Sequence, residues 1–164
     1  MSAPPRVHAV CPSALLVDLY ELTMMQAYWS RGIEGSATFD LFVRRLPPAR
    51  SFLLAAGLET ALELLEGLRF TPADLDYLSG TGLFDRGFVE VLEGFRFSGD
   101  VDAMAEGTVA FAREPLLRVT APILEAQFFE SLLMNQFHVQ TLLASKAARV
   151  VLAAPLLQLF VFGY

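Results

Sequence analysis

Apolar and polar positions alternate between helical and extended spacing along most of the chain. "LLVDLYELTMMQAYW" (15–29) is apolar at helical spacing, with Asp18 at an N-cap position and Gly32 just beyond, so the pattern predicts a helix from Asp18 to about Trp29. "SATFDLFVRRLPP" is rich in Phe and Val and alternates weakly, which predicts a strand ending at Pro47-Pro48. "SFLLAAGLETALELLEGLRF" reads as a short buried strand to Ala56 and a glycine hinge. An amphipathic helix follows, with Leu58, Leu62 and Leu65 on one face.

"FTPADLDYLSG" carries a complete helix start: Thr71 as N-cap, Pro72 at the first helical position and Asp74 in the first turn. "DRGFVEVLEGF" predicts another helix. In "FRFSGDVDAMAEGTVAFAREPLLRVTAP", Gly99, Gly107 and Glu114-Pro115 punctuate three short apolar runs, which predicts a small β-meander. After Pro122 about thirty residues of helical texture are apolar all round, so the helix should be buried on more than one face. "LLQLFVFGY" closes the chain with a buried-strand pattern. The class is mixed, α/β or α+β. The expected organisation is a disordered lead-in (1–14), an α/β domain (15–122) and a long buried helix with a strand (123–164).

Composition narrows the setting. Apolar residues make up 54% of 164 residues, and the mean hydropathy of +0.47 is high for one soluble domain. Two charge-free runs, Ser131–Ser145 and Val150–Tyr164, each span 15 residues. A membrane-spanning helix needs roughly 20 apolar residues. The first run contains Asn135, Gln136, His138 and Gln140, and the second is broken by Pro155, so neither is expected to span a membrane. No basic segment followed by an apolar one opens the chain, which makes the cytoplasm the expected location. Cys11 stands alone, so no internal disulfide or Cys/His zinc site is expected. A net charge of −6 argues against nucleic-acid binding.

Candidate chemistry is sparse. His8 lies in the lead-in, and His138, inside an apolar helical stretch, reads as a hydrogen-bonded core residue rather than a catalytic one. No glycine-rich phosphate loop and no metal-ligand spacing is present. What remains lies at element ends, where ligands meet a fold: Tyr20 at a helix start, and Arg44 and Arg45 at a strand end. Each also has an ordinary reading, a half-buried helix aromatic and surface ion pairs.

The opening stretch, followed by "ATFDLFVRRLPPARSFLLAAGLETALELL", resembles the N-terminus of nicotinate phosphoribosyltransferases. So do "FTPADLDYL", "EGTVAFAREPLLRVTAPILEAQFFESLLMN" and "QTLLASKAARVVLAA", in order. The resemblance spans roughly Leu15 to Ala154. It implies the N-terminal domain of a type II phosphoribosyltransferase with the first elements of an irregular α/β barrel. It also implies a full-length enzyme that joins nicotinate to 5-phosphoribosyl 1-pyrophosphate in NAD salvage. Such an enzyme uses ATP and Mg, works through a phosphorylated histidine, and assembles as a homodimer with active sites at the subunit interface.

In that family the Tyr of the "DLY..T" motif stacks on nicotinate, an electron-poor pyridine that an aromatic face orients, and the resemblance implies this role for Tyr20. A phosphate-contacting Arg after the first strand matches Arg44, with Arg45 as the alternative register; a guanidinium fork suits phosphate oxygens. Arg149, ending "SKAAR", has a structural place in that family. The phosphorylated His has no counterpart here, His138 does not match its motif, and no catalytic residue is expected in this chain. The end, "FVFGY", resembles the strand before the family's "FG.RRA.G" segment, so the chain is expected to be a piece of a longer enzyme. Two other classes stand beside this one: a non-catalytic binding module of the same shape, and a membrane-associated protein anchored by 150–164.

Overall fold

A computed structural model describes residues 13–48 and 50–154. In chain order the elements are α1 (Leu19–Ser30), β1 (Ser36–Phe42), β2 (Leu53–Leu54), α2 (Leu58–Gly67), α3 (Pro72–Thr81) and α4 (Arg86–Glu93). They continue with β3 (Asp100–Ala103), β4 (Val109–Ala110), β5 (Pro115–Pro122), α5 (Ile123–Phe128) and α6 (Glu130–Ala153). The greater part of the expected lead-in, including Cys11 and His8, and the expected final strand lie outside the described residues.

Two open antiparallel sheets organise the chain, which is α+β. In the first, β5 lies between β1 and β3. Period-two alternation puts Phe39, Leu41, Val119 and Val101 on the inner face. The outer face carries polar cross-strand pairs: Thr38 with Thr120, their hydroxyls 3.0 Å apart, and Asp40 with Arg118. The strand expected to run to Pro47-Pro48 stops at Phe42, where the register with β5 shifts. The chain is then held from outside: the Arg113 N–H donates to the Val43 carbonyl at 2.8 Å.

The expected β-meander is not formed. β3 and β5 pair directly, and the middle run, β4, leaves to pair with β2. The other edge of β2 has no strand partner, and α6 takes that role with hydroxyls. Ser145 Oγ accepts from the Leu54 N–H at 2.9 Å. Thr141 Oγ1 accepts from the Ala56 N–H at 3.2 Å and donates to the Ala56 carbonyl at 3.0 Å. Residues i and i+4 on a helix repeat at nearly the same distance as i and i+2 on a strand, so two hydroxyls match two edge amides.

Helix α2 begins at Gly57, whose φ of 110° strains any other residue and whose close approach to the α6 backbone at Gln136 and Phe137 would crowd a Cβ. Glu106 caps this start from across the fold, its Oε1 accepting from the Gly57 N–H at 2.9 Å and the Glu59 N–H at 3.3 Å. The buried face of α2 is Ala61, Leu64 and Leu65; Leu62, expected inside, is exposed because it lies a quarter-turn round from Ala61.

Asp18 sits at the N-cap position of α1 but makes no side-chain cap bond, while Gly32 closes that helix as expected. For α3 the expected start is formed in full, with Thr71 and Asp74 exchanging bonds in a capping box behind Pro72.

The thirty-residue helix is two helices. The chain turns at Phe129 (φ −82°, ψ −3°), which lets consecutive Phe128 and Phe129 both enter the core. They join Phe70 and Phe95 in an aromatic cluster, with Phe95–Phe128 and Phe128–Phe129 centroids 4.8 Å and 5.1 Å apart near edge-on. Beyond the break α6 is buried on one side along Leu133, Phe137, Thr141 and Ser145, against β2 and α2. Met134, Val139, Leu143 and Val150 are exposed, so burial on several faces is not observed. Among the described residues no helix is long and apolar enough to cross a membrane.

Candidate functional site

A cavity of about 520 Å³ lies between the loop that follows β1 and the first half of α6. Leu41, Leu53, Leu116 and Phe137 give it apolar walls. Its polar groups come from two directions: Arg45 and Arg50 from the loop, and Ser131, Asn135, His138 and Thr141 from α6. Helical spacing explains the second set, since 131, 135 and 138 follow one stripe of α6 and 141 flanks it one turn on. A cavity with apolar walls, two guanidinium groups and several neutral donors suits an anionic small molecule.

The adjacent arginines go to different cavities. Arg45 lines the large cleft, whereas Arg44 lines a smaller one of about 200 Å³ with Asp40 and Glu130. Alternation along an extended chain gives this separation. Asp40 is engaged by Arg118, which donates through Nε and Nη2 at 2.6 and 2.8 Å; the Arg118 hydrogen bond holds the Asp40 carboxyl below its usual range. Neither Arg44 nor Arg45 forms an ion pair among the described residues. The surroundings of Arg45 are therefore basic, while Arg44 shares its cavity with Glu130 and with an Asp40 already held by Arg118.

Tyr20 occupies the second position of α1, and 51% of it is exposed. Its backbone carbonyl accepts from the Thr23 hydroxyl at 2.9 Å. The ring does not line the large cleft, but the turn that carries it is tied to the cleft wall. Ser131 Oγ accepts from the Asp18 N–H at 3.2 Å, and Glu21 Oε1 accepts from the Ser131 N–H at 3.0 Å. Residues 18 and 21, on either side of Tyr20, thus hold the same cleft residue.

Glu21 is only 2% exposed. Burial, the largest influence, pushes its carboxyl above the ordinary value, against the opposing effect of hydrogen bonding to Ser131. Its Oε2 is buried without a hydrogen-bond partner. The sequence pattern by itself gives Glu21 no role. The available signal was its position four residues before Met25, on the buried stripe of α1. Ser131, Asn135 and Arg50 carried no signal, since only the fold brings them together.

His138 is the reverse case. Expected as a hydrogen-bonded core residue, it is exposed, lines the cleft and makes no side-chain hydrogen bond among the described residues. The phase of α6 decides this, with Phe137 turned inward and His138 outward. No group of three or more His, Cys, Asp or Glu capable of holding a metal occurs among the described residues. The arrangement can bind and orient; His138 has no carboxylate or carbonyl to set its tautomer as a general base requires.

The sequence profile of the nicotinate phosphoribosyltransferase (NAPRTase) N-terminal domain matches residues 15–137. A nicotinate phosphoribosyltransferase of Mycobacterium tuberculosis is 54% identical over 141 residues, which are 86% of this chain and 30% of that protein. One from Bacillus subtilis is 45% identical over 138 residues, covering 84% of this chain and 28% of that protein. The crystal structure of human nicotinic acid phosphoribosyltransferase superposes with a TM-score of 0.80 at 36% identity, over 91% of this chain and 31% of the human one. The chain thus spans about 30% of the length of the relatives it matches. A profile match over most of the chain, with these identities, shows that it belongs to the nicotinate phosphoribosyltransferase family, to which it corresponds over the N-terminal domain.

Proposed function

We propose that this chain supplies the nicotinate-binding side of a nicotinate phosphoribosyltransferase. The complete enzyme joins nicotinate to 5-phosphoribosyl 1-pyrophosphate, releasing nicotinate mononucleotide and pyrophosphate. In this reading the reaction is coupled to ATP with Mg through a phosphorylated histidine outside this chain, in a cytoplasmic homodimer. Residues 15–122 act as the N-terminal domain, and 123–164 lead into the barrel.

The observation that carries the reading is the setting of Tyr20. A large aromatic ring stands half exposed on a helix whose next residue is fully buried and whose first turn is fastened to a basic cleft. A Tyr serving only to pack would turn its ring inward. The exposed ring offers its face to the pyridine, and the Arg45 and Arg50 guanidiniums offer forks to phosphate or carboxylate oxygens. Of the two arginine registers, the basic surroundings favour Arg45 over Arg44.

The test is Tyr20→Ala and Tyr20→Phe in the full-length enzyme. Loss of stacking and its buried area predicts a roughly tenfold or larger fall in kcat/KM for nicotinate in Tyr20→Ala. Binding of phosphoribosyl pyrophosphate stays nearly unchanged, and Tyr20→Phe is much milder. A lowered melting temperature with wild-type nicotinate KM would remove Tyr20 from the site.

A further inference from the structure

Two carboxyl side chains are buried among the described residues, Asp74 and Glu21. Asp74 is satisfied: it accepts from the Thr71 N–H and hydroxyl and from the Ser13 hydroxyl, each at 2.8 Å. Glu21 is not, because Oε2 has no partner. A buried acceptor left unpaired is destabilising, and an apolar side chain of the same length would avoid that cost. The carboxyl therefore has to be accounted for by what Oε1 holds.

Oε1 holds the N–H of the second residue of α6, a helix start that lacks a side-chain cap of its own. The same residue, through Oγ, holds the backbone of Asp18, which gives α1 no side-chain cap. Two uncapped helix starts thus restrain each other through one reciprocal clasp, with Tyr20 between its two α1 anchors. No Lys or Arg pairs with Glu21 among the described residues; the charged residues of the adjoining turns, Asp18 on α1, Glu125 on α5 and Glu130 on α6, are all acidic.

We infer that Glu21 is a positioning residue: by clasping Ser131 it fixes the first turn of α1 and so sets the direction of the Tyr20 ring relative to the cleft. The inference rests on Tyr20 serving the nicotinate site. Without the clasp, the turn bearing Tyr20 keeps its intrahelical bonds but loses its tie to α6, and the ring loses its preset orientation.

Two readouts separate this inference from that reading. In the full-length enzyme, Glu21→Met keeps length and helix propensity but removes both acceptor oxygens. It is expected to raise nicotinate KM by roughly tenfold while phosphoribosyl pyrophosphate KM stays within about twofold. Glu21→Gln keeps an acceptor for the Ser131 N–H and is expected to recover most of that loss. In a Tyr20→Ala background, Glu21→Met should add nothing further to nicotinate KM, because it acts through the ring that is gone.

Independently of nicotinate, the 19F resonance of 3-fluorotyrosine at position 20, assigned by its loss in Tyr20→Phe, should move toward the random-coil position in Glu21→Met and not in Glu21→Gln. If Glu21→Met does not fold, Ser131→Ala opens the other half of the clasp and is read the same two ways. A 19F signal indifferent to the clasp, or additive KM effects of Tyr20→Ala and Glu21→Met, overturns the inference. A signal that responds while Tyr20→Ala leaves nicotinate KM unchanged supports the clasp and overturns the stacking role instead.

Discussion

Glu21 and Ser131 stand 110 positions apart in the chain and 3.0 Å apart in space, a carboxyl on one helix accepting from the backbone N–H that opens another. Their stability effect depends on pH in a definite direction. Burial raises the folded pKa of Glu21 above its ordinary 4.5. The native state therefore binds that proton more tightly than the unfolded state does. The contribution is fully present below the unfolded pKa and is lost as pH rises through the folded value. Glu21→Gln carries no such penalty. Urea unfolding of the two proteins at pH 4 and pH 7 should show the Gln variant gaining on wild type at the higher pH. A difference that is constant with pH would mean the carboxyl is not buried as described.

Asp74 works with the opposite sign. Burial alone would push its carboxyl up, but the hydrogen bonds from Thr71 and Ser13 outweigh it and hold the carboxyl below its ordinary 3.8. Its contribution is present above pH 3.8 and is lost as pH falls through the lower folded value. Thr71→Ala removes the cap of α3 and one of these donors and should cost about 1 kcal/mol at neutral pH. The cost should shrink as pH falls from 7 through the lowered folded value, which denaturation midpoints across an acid series will test.

The contrast between these two acids marks what the sequence could disclose. The α3 start was legible because its chemistry is local: a Thr, a Pro and an Asp within four residues make a capping box wherever they fold. The resemblance to a known family was legible for a similar reason, as ordered blocks of residues. The Glu21 clasp needs Ser131, and the cleft needs two arginines from a loop and a stripe from α6, so neither shows in any short window. The meander reading failed on the same ground. Residues 100–122 contain three extended runs, but β4 pairs with β2, about fifty residues away in sequence, and only the fold supplies that partner. The break at Phe129 was hidden because apolar residues on both sides continue the helical texture through it.

Because α6 stands in for a strand along β2, its hydroxyls should matter more than their number suggests. Ser145→Ala leaves the Leu54 N–H without its acceptor, and Thr141→Val does the same for Ala56. Each should cost about 1–3 kcal/mol, the penalty for a buried amide left unpaired. Gln140→Ala, one residue away, should stay within about 0.5 kcal/mol. Urea unfolding of the three variants separates hydroxyls that pair the strand edge from a neighbouring side chain that does not.

Two glycines make a matched pair for a packing test. A Cβ on Gly99 would overlap the Thr120 carbonyl and the Ala121 side chain at the start of the β3–β5 pairing; a Cβ on Gly94 meets open space, and its φ of −87° suits any residue. Gly99→Ala should destabilise by about 1–3 kcal/mol, through backbone displacement. Gly94→Ala should stabilise by roughly 0.4–1 kcal/mol, through the unfolded state. Equal melting temperatures for the two variants would contradict the strand register.

Residues 1–164 purified as a separate protein should not turn over nicotinate and phosphoribosyl pyrophosphate. Positioning and electrostatic clamping of the pyrophosphate supply most of the rate in such a transfer. The described side chains offer Arg45 and Arg50 in one cleft, Arg44 in another, and Tyr20 on a neighbouring turn. His138 reaches the cleft with nothing to set its tautomer, and among the described residues no group of three or more His, Cys, Asp or Glu is placed to hold a metal. Such a surface can hold an anion loosely and present a ring, but it cannot stabilise a departing pyrophosphate from both sides. Pyrophosphate release should stay at the level of a protein-free blank with and without ATP and Mg. Release above the blank that disappears in Arg45→Ala would show that this cleft catalyses the transfer by itself and would overturn the division of labour argued for the longer enzyme.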